Sequence, residues 1–140
     1  MAGILSKGIT LGYSTSSSPS TYTDVANVQS IPSLGGDPEQ VDVTTLADSA
    51  YHYIPGIINY GELEFGLLFD NSEATSNFRV LKGLEIAGDE VHWQVAFPDG
   101  TKFTFSGKCT VSSDEAGVNA AITFRLRIFL ASDIDVTNPV

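Results

Sequence analysis

Apolar and polar residues alternate along several segments of the chain, and a period of two residues predicts β-strands. The clearest such run covers 60–69, where Glu62 and Glu64 share one face. The other face of this run is apolar and carries Leu63, Phe65, Leu67 and Phe69. Two shorter strands are predicted nearer the start of the chain, over 9–13 and 22–31.

The second half of the chain shows the same alternation over longer stretches. It predicts a hairpin over 91–109, whose turn is Pro98-Asp99-Gly100. A final strand is predicted over 118–130, with apolar side chains on one face and Arg125 and Arg127 on the other.

One helix is predicted over 72–84. Asn71 or Ser72 supplies its N-cap, and Gly88 follows beyond its end. Apolar residues recur at helical spacing and form one stripe that can pack on a sheet: Ala74, Phe78, Leu81 and Leu84. The sequence therefore predicts a mainly β fold, an antiparallel β-sandwich or barrel-like domain of six or seven strands with one flanking α-helix.

Residues 32–56 interrupt the regular pattern with prolines and glycines, which indicate a long loop. Loops of this length in a compact domain are usually functional or disordered, and this one is too apolar for a linker. Its large apolar residues are Leu34, Val41, Val43, Leu46, Tyr51, Tyr53 and Ile54. We therefore expect the loop to find its packing partners elsewhere, on another subunit.

The chain has 140 residues, the usual size of one domain. We expect a single domain over 1–140, with an N-terminal arm at 1–7 and a polar C-terminal arm at 131–140. The net charge of −10 is spread along the sequence, and this excludes nucleic-acid binding through clustered lysines and arginines. Since no apolar run reaches the length of a signal peptide or a membrane span, we expect folding in a reducing cytoplasm.

Residue types that carry catalysis do not occur at catalytic spacings. His52 and His92 match no metal-binding motif and are expected to be surface or packing residues. Cys109 is the only cysteine and is expected to be a buried thiol that behaves as a small apolar residue. Two acidic groups lack the pattern of a calcium loop: Asp37, Glu39 and Asp42, and Asp133 with Asp135. We therefore expect no enzyme, no cofactor and no metal site.

The segment 31–57 resembles a phage protein family. The major tail tube proteins of long-tailed, siphovirus-type bacteriophages have a motif similar to three runs of this segment: Ile31-Pro32-Ser33-Leu34-Gly35-Gly36-Asp37-Pro38-Glu39, Val41-Asp42-Val43-Thr44-Thr45-Leu46 and Tyr53-Ile54-Pro55-Gly56-Ile57. The opening 5–11 and the hairpin around 97–107 are also similar to that family. The likeness therefore extends over most of the chain.

The resemblance implies a structural virion protein with a tail tube fold. In that family six subunits form a ring, and rings stack into a hollow tube around a tape measure protein. The implied partners are further copies of the chain, the tape measure, tail terminator and tail-tip proteins, and phage DNA, which passes through the lumen without specific binding. The implied location is the virion tail, assembled in the host bacterial cytoplasm. The role of the inter-ring loop falls on 32–56.

A tube lumen lined with carboxylates would repel DNA phosphates and let the genome slide. Glu62 and Glu64 are assigned to this surface because they alternate with the core residues of their strand. Arg125 and Arg127 are candidates to pair with them across strands, each pair contributing roughly 0.2–1 kcal/mol. If they do pair, the lumen charge must come from other positions.

Two other functions fit the same sequence pattern. One is the tube protein of a contractile or secretion injection device, which has the same architecture. The other is a carbohydrate- or receptor-binding β-sandwich module, for which Tyr51, Tyr53 and Tyr60 are the candidate cluster. A binding module should not form stacked rings or tubes in negative-stain microscopy.

Overall fold

The computed structural model of the chain describes Gly3 and residues 7–60, 62–114 and 117–139. Within these residues the chain forms ten strands and one helix. The elements are β1 (Thr10–Ser14), β2 (Thr23–Val25), β3 (Val28–Ser30), β4 (Asp37–Asp42), β5 (Tyr53–Asn59), β6 (Leu63–Leu68), α1 (Asn77–Ala87), β7 (Val91–Ala96), β8 (Lys102–Ser113), β9 (Thr123–Leu130) and β10 (Asp135–Thr137).

Eight strands form one antiparallel sheet, whose main path runs β2-β1-β7-β8-β9-β6-β3. The long strand β8 pairs with β9 through its second half and with β10 through Lys102–Thr104. The predicted hairpin of β7 and β8 and the predicted strand β6 are confirmed. The C-terminal segment 131–140 contains β10, so part of this predicted arm pairs with the sheet.

The two edges of this sheet are joined by consecutive residues of the chain. β2 lies at one end of the strand order and β3 at the other, yet only two residues separate Val25 from Val28. β2 pairs with β1 at one edge, and β3, which follows directly in the sequence, pairs with β6 at the other edge. The sheet must therefore curl until its edges meet, and this confirms the predicted mainly β, barrel-like fold with one flanking helix.

The predicted single strand over 22–31 was wrong in one respect, because it breaks at residues 26 and 27. Asn27 has a φ of 63°, in the left-handed region that asparagine tolerates better than most residues. The break lets the segment change its partner from β1 to β6. The predicted start of the last strand was also wrong. Residues 118 and 119 form a turn, with Asn119 likewise at φ 63°, and β9 begins at Thr123.

Apolar side chains from both halves of the curled sheet fill its interior. They belong to one cluster of buried residues: Leu11, Val25, Leu63, Phe65, Leu67, Leu81, Val91, Trp93, Val95, Phe105, Cys109, Val111, Phe124, Leu126 and Ile128. Fully burying one Val, Leu, Ile or Phe side chain contributes roughly 1.5–3 kcal/mol, so this cluster is the main stabilising feature of the fold. The helix adds Leu81 as its buried apolar residue.

The helix begins five residues later than predicted, at Asn77 rather than at 72, and ends at Ala87. The side chain of Asp70 accepts hydrogen bonds from the backbone N–H and the hydroxyl of Ser72 (3.1 and 2.8 Å). Such local bonds compete with helical hydrogen bonds and favour turns. At the other end of the helix, Gly88 adopts a left-handed φ of 71° and its N–H donates to the carbonyls of Leu84 and Glu85. This is the usual way in which a glycine ends a helix, and it agrees with the predicted position of Gly88 beyond the helix end.

Asn77 fastens the place where the sheet edges meet. Its Nδ2 donates to the carbonyl of Ala26 (2.9 Å) and to the carbonyl of Leu68 (2.8 Å). Its Oδ1 accepts from the backbone N–H groups of Asp70 (3.2 Å) and Phe78 (2.6 Å). The residue is only 4% exposed. One side chain thus ties the β2–β3 junction, the end of β6 and the start of α1 together.

Replacing Asn77 by alanine is expected to lower the free energy of unfolding by on the order of 3 kcal/mol, because buried backbone groups lose their partners at about 1–3 kcal/mol each. Denaturant unfolding measures this change. Asn138→Ala is the matched control, since Asn138 is exposed near the C-terminus and its loss should cost less than about 0.5 kcal/mol. Equal effects of both substitutions would contradict the role given to Asn77.

Candidate assembly surfaces

The segment predicted as the loop 32–56 is largely a β-hairpin, and this corrects the prediction. β4 and β5 form a separate two-stranded sheet and pair with each other but with no other described strand. Both faces of the hairpin are exposed, and the prolines and glycines of the segment indicated a loop although Val41-Asp42-Val43 alternates. Its exposed large apolar residues are Val41, Val43, Leu46, Tyr51, Tyr53, Ile54, Ile57 and Ile58. Six of the seven predicted loop residues are among them.

The base of the hairpin tip is held by side-chain hydrogen bonds. Val43 N–H donates to the carbonyl of His52 (3.0 Å), and His52 N–H donates to the hydroxyl of Thr44 (2.8 Å). Asp42 accepts from Thr44 N–H at 2.9 Å. Hydrogen bonds from the hydroxyl and the backbone of Thr44 hold the pKa of Asp42 below its usual value. The carboxylate therefore stays ionised to a lower pH than an ordinary aspartate.

The tip itself is a short closed turn. Asp48 accepts a hydrogen bond from Thr45 N–H through its side chain (2.8 Å), and its own N–H donates to the carbonyl of Thr45 (3.1 Å). Leu46 lies inside this turn and is fully exposed. His52 is 3.8 Å from the carboxylate of Asp48. The tip is therefore a structured loop that presents one leucine to the outside.

An open apolar cleft lies at the base of the hairpin and has a volume of about 640 Å³. One side is formed by β3 and the residues that follow it, and the other by the start of β1 and the β7–β8 turn. Its apolar lining consists of Ile9, Val28, Ile31, Leu34, Phe97 and Phe103. Leu34, the seventh predicted loop residue, is thus not displayed on the hairpin but packs against the core at this cleft.

Arginine side chains on the outer face of the sheet pair with carboxylates. Arg125 contacts Glu64 at 2.9 Å and also contacts the carboxylate of Asp114. The negative charge of Asp114 has the larger effect and that of Glu64 the smaller, and both raise the pKa of the Arg125 guanidinium. Arg127 lies 3.9 Å from Glu62. The cross-strand pairs that the sequence suggested are present. Asp114 was missed because it follows β8 in a turn and its sequence position gives no signal.

The three tyrosines considered for a binding module do not come together. Tyr51 and Tyr53 stack with ring centroids 6.5 Å apart near the start of β5. Tyr60 follows the other end of that seven-residue strand, where it lines a depression with Gly36 and Glu62. A strand of this length spans roughly 20 Å, so the three rings form no common groove.

Catalytic and metal-binding arrangements are not found in the part of the chain that the structure describes. No three His, Cys, Asp or Glu side chains in it converge on a possible metal position. His52 is exposed and His92 is half-buried on β7. The one helix of the described residues, with eleven residues, is too short to cross a bilayer.

Cys109 is buried against the helix, with its Sγ 3.9 Å from the carbonyl of Leu81. Burial, and secondarily the charge of Glu85, raises the pKa of the thiol to about 11. Thiolates, rather than thiols, act as nucleophiles. The residue therefore belongs to the core and is not a reactive group.

The described residues form a barrel from which an exposed apolar hairpin projects, and exposed apolar surface of this kind is typical of a site of protein interaction. The sequence profile of the phage tail tube protein family matches residues 7–138. The chain therefore belongs to the phage tail tube protein family. This is a structural family and not an enzyme family, so the predicted resemblance and the predicted lack of enzymatic activity are both confirmed.

Several solved structures contain chains with a similar fold. A chain from the tail of an empty gene transfer agent particle, computed with sixfold symmetry, matches with a TM-score of 0.73 and 16% identity over 97% of this chain and 100% of the other. A chain from the sixfold-symmetrised anti-feeding prophage baseplate matches with a TM-score of 0.71 and 12% identity over 99% and 97%. A chain from the structure of the sheath/tube terminator of an extracellular contractile injection system, PVC, in the extended state matches with a TM-score of 0.68 and 8% identity over 99% of both chains. No curated protein matches significantly by sequence.

The thiol of Cys109 is expected to resist alkylation in the folded protein at pH 8 and to react fully in denaturant.

The stability of the protein is expected to fall at high pH because of the same thiol. Since its folded-state pKa of about 11 lies above the ordinary value of 9.0, the thiol ionises first in the unfolded state as the pH rises, and this favours unfolding. The contribution of this group to stability is complete below pH 9 and is lost between about pH 9 and 11. Denaturant unfolding at pH 8 and 10.5 measures this loss, and the Cys109→Ala variant should lack it. An equal pH dependence in both proteins would contradict the assignment.

Proposed function

We propose that the chain is the major tail tube subunit of a siphovirus-type phage. Hexameric rings of the subunit stack into the hollow conduit through which phage DNA is delivered. The observation that carries this proposal is the exposed apolar hairpin of a family member whose barrel is otherwise closed. The sixfold symmetry of the structures that contain similar chains supports six subunits in a ring.

The size of the hairpin surface supports an assembly role. A stable interface buries about 800 Å² on each partner. Eight large apolar side chains of the hairpin are between 41% and fully exposed, and an aromatic side chain alone offers roughly 150–250 Å². The hairpin therefore supplies an apolar area of the order that one interface needs. We assign it the inter-ring contact expected of 32–56.

The chain termini are proposed as further contacts between subunits. The C-terminal segment 131–140 keeps this role through β10, which pairs with β8 and with no other described strand and whose Val136 is 57% exposed. A strand edge of this kind pairs readily with another strand. Of the N-terminal arm at 1–7, only Gly3 and Lys7 lie within the described residues. A single domain over 1–140 with these two arms remains the proposed organisation.

The net charge of −10 supports a conduit that DNA does not bind. Glu62 and Glu64 stay the proposed lumen-facing pair, but their contacts with Arg127 and Arg125 neutralise part of their charge. The repulsion of DNA must therefore come mainly from other carboxylates of the chain. The tape measure, tail terminator and tail-tip proteins complete the proposed partners, and assembly takes place in the host bacterial cytoplasm.

The tube of a contractile or secretion device is the second candidate function. The structural similarity to chains of the anti-feeding prophage and of PVC favours it. The two candidates differ in the particle, because a contractile device carries a sheath around its tube. Electron micrographs of particles from producing cells distinguish a sheathed from an unsheathed tail.

Purified protein is expected to form rings or tubes in negative stain, and Ile57→Asp is expected to prevent this. Ile57 is 82% exposed in β5, so a carboxylate there leaves the fold and the melting temperature unchanged but opposes burial in an interface. Ile86→Asp on the helix, at 77% exposure, is the matched control and should still assemble. Normal tubes from the Ile57 variant, or none from the wild type, would speak against the proposal.

A further inference from the structure

We infer that Leu46 at the hairpin tip is an anchor that enters the apolar cleft of a second copy of the chain. The cleft is the surface at the hairpin base defined by Ile9, Val28, Ile31, Leu34, Phe97 and Phe103. This inference rests on the proposed assembly of the chain and deepens it, because it names the receiving surface.

The tip is prepared for docking before it binds. Two hydrogen bonds between Thr45 and Asp48 close the turn around Leu46 within a single copy of the chain. Leu46 is fully exposed on this turn, so its side chain is not buried against the rest of its own chain and adds no hydrophobic stabilisation there. A binding element ordered in advance loses less conformational entropy on association, and this raises affinity.

The cleft is open in the part of the chain that the structure describes. At the junction of the sheet edges, Asn77 closes the part beside β6 through its hydrogen bonds to Ala26 and Leu68. The part between β3 and the start of β1 forms the cleft. Its volume of about 640 Å³ lies within the roughly 300–1,000 Å³ of pockets that hold ligands. It has room for a leucine and its neighbours.

A copy cannot place its own tip in its own cleft. Leu34 lines the cleft only three residues before β4 begins at Asp37, so the cleft lies at the root of the hairpin. The six residues of β4 carry the tip roughly 20 Å away from that root. A tip on one copy and a cleft on the next form a head-to-tail contact, and such contacts propagate into rings or stacks.

Area and charge both favour a second copy as the occupant. The apolar surface of the hairpin is of the order of the 800 Å² that a stable interface buries on each side. The hairpin carries four carboxylates, and the sequence has neither lysine nor arginine between Lys7 and Arg79. The cleft segments carry Lys102 and Asp99, and Lys7 lies two residues from Ile9. The hairpin therefore carries acidic charge with no lysine or arginine in its own sequence, whereas Lys7 and Lys102 are close in sequence to the cleft residues Ile9 and Phe103.

The decisive experiment is a disulfide between copies, made in a Cys109→Ala background. The double variant Leu46→Cys/Leu34→Cys is concentrated, oxidised and run on a denaturing gel without reductant. A disulfide needs Cα atoms about 4.4–6.8 Å apart, so it reports direct contact. We expect a ladder of dimers, trimers and longer chains, since every copy has one tip and one cleft. Each single variant can give dimers at most.

Val118→Cys/Leu34→Cys is the matched control, because Val118 is 95% exposed but lies in a distant turn of the sequence. No ladder from the tip–cleft pair, or an equal ladder from the control, would overturn the inference. The ladder of disulfide-linked chains requires only contact between the tip of one copy and the cleft of the next, so it can be measured whether or not tubes form. Tubes without a ladder refute the inference alone, whereas a ladder without rings or tubes refutes the proposed function alone.

Substitution at Leu46 gives an independent readout. Leu46→Asp is expected to raise the protein concentration needed for assembly by about 30-fold, the loss typical of a buried anchor at an interface. Leu46→Met keeps an apolar side chain of similar size and should assemble as the wild type does. The side chain is fully exposed, so neither variant should change the melting temperature. Normal assembly of the Asp variant would contradict the role of Leu46.

Discussion

The segment β2–β3 holds both edges of the sheet at once, and the rest of the structure depends on this connection. Because β2 pairs with β1 and β3 pairs with β6 across a break of two residues, the sheet curls around its own apolar face. The buried cluster forms inside the curl, and Asn77 joins the break to the helix. One flanking helix is then sufficient, since the sheet covers most of its own core.

Closure also explains where the surfaces for assembly lie. β4 and β5 pair with each other and with no other described strand, so this hairpin projects from the barrel with both faces exposed. The place where the edges meet is fastened beside β6 but open beside β1, and the cleft occupies the open part. Projection and cleft are therefore two consequences of the same closure. Exposed apolar surface of this extent is typical of a site of protein interaction.

The sequence predicted the elements whose faces differ in burial. In β6 the residues Leu63, Phe65 and Leu67 are buried while Glu64 is not, and this alternation was readable. The hairpin was predicted as a loop because prolines and glycines punctuate the segment, and these outweighed the short alternation at Val41-Asp42-Val43. The helix start was misplaced because the turn at Asp70 depends on side-chain hydrogen bonds. Asn77 was missed, although a polar residue four positions before Leu81 on the apolar stripe was a signal. The place of Leu34 in the cleft depends on contacts between distant segments, which no local pattern encodes.

The central claim is that the projecting hairpin is buried between copies when the protein assembles. A helical cryo-EM reconstruction of the assembled protein, at a resolution that shows side chains, tests this most directly. The account predicts rings in which the apolar side chains of β4, β5 and the tip lie against a neighbouring copy, with Leu46 in its cleft. An assembly in which the hairpin points into solvent or into the lumen, and in which the subunits contact each other elsewhere, would contradict it.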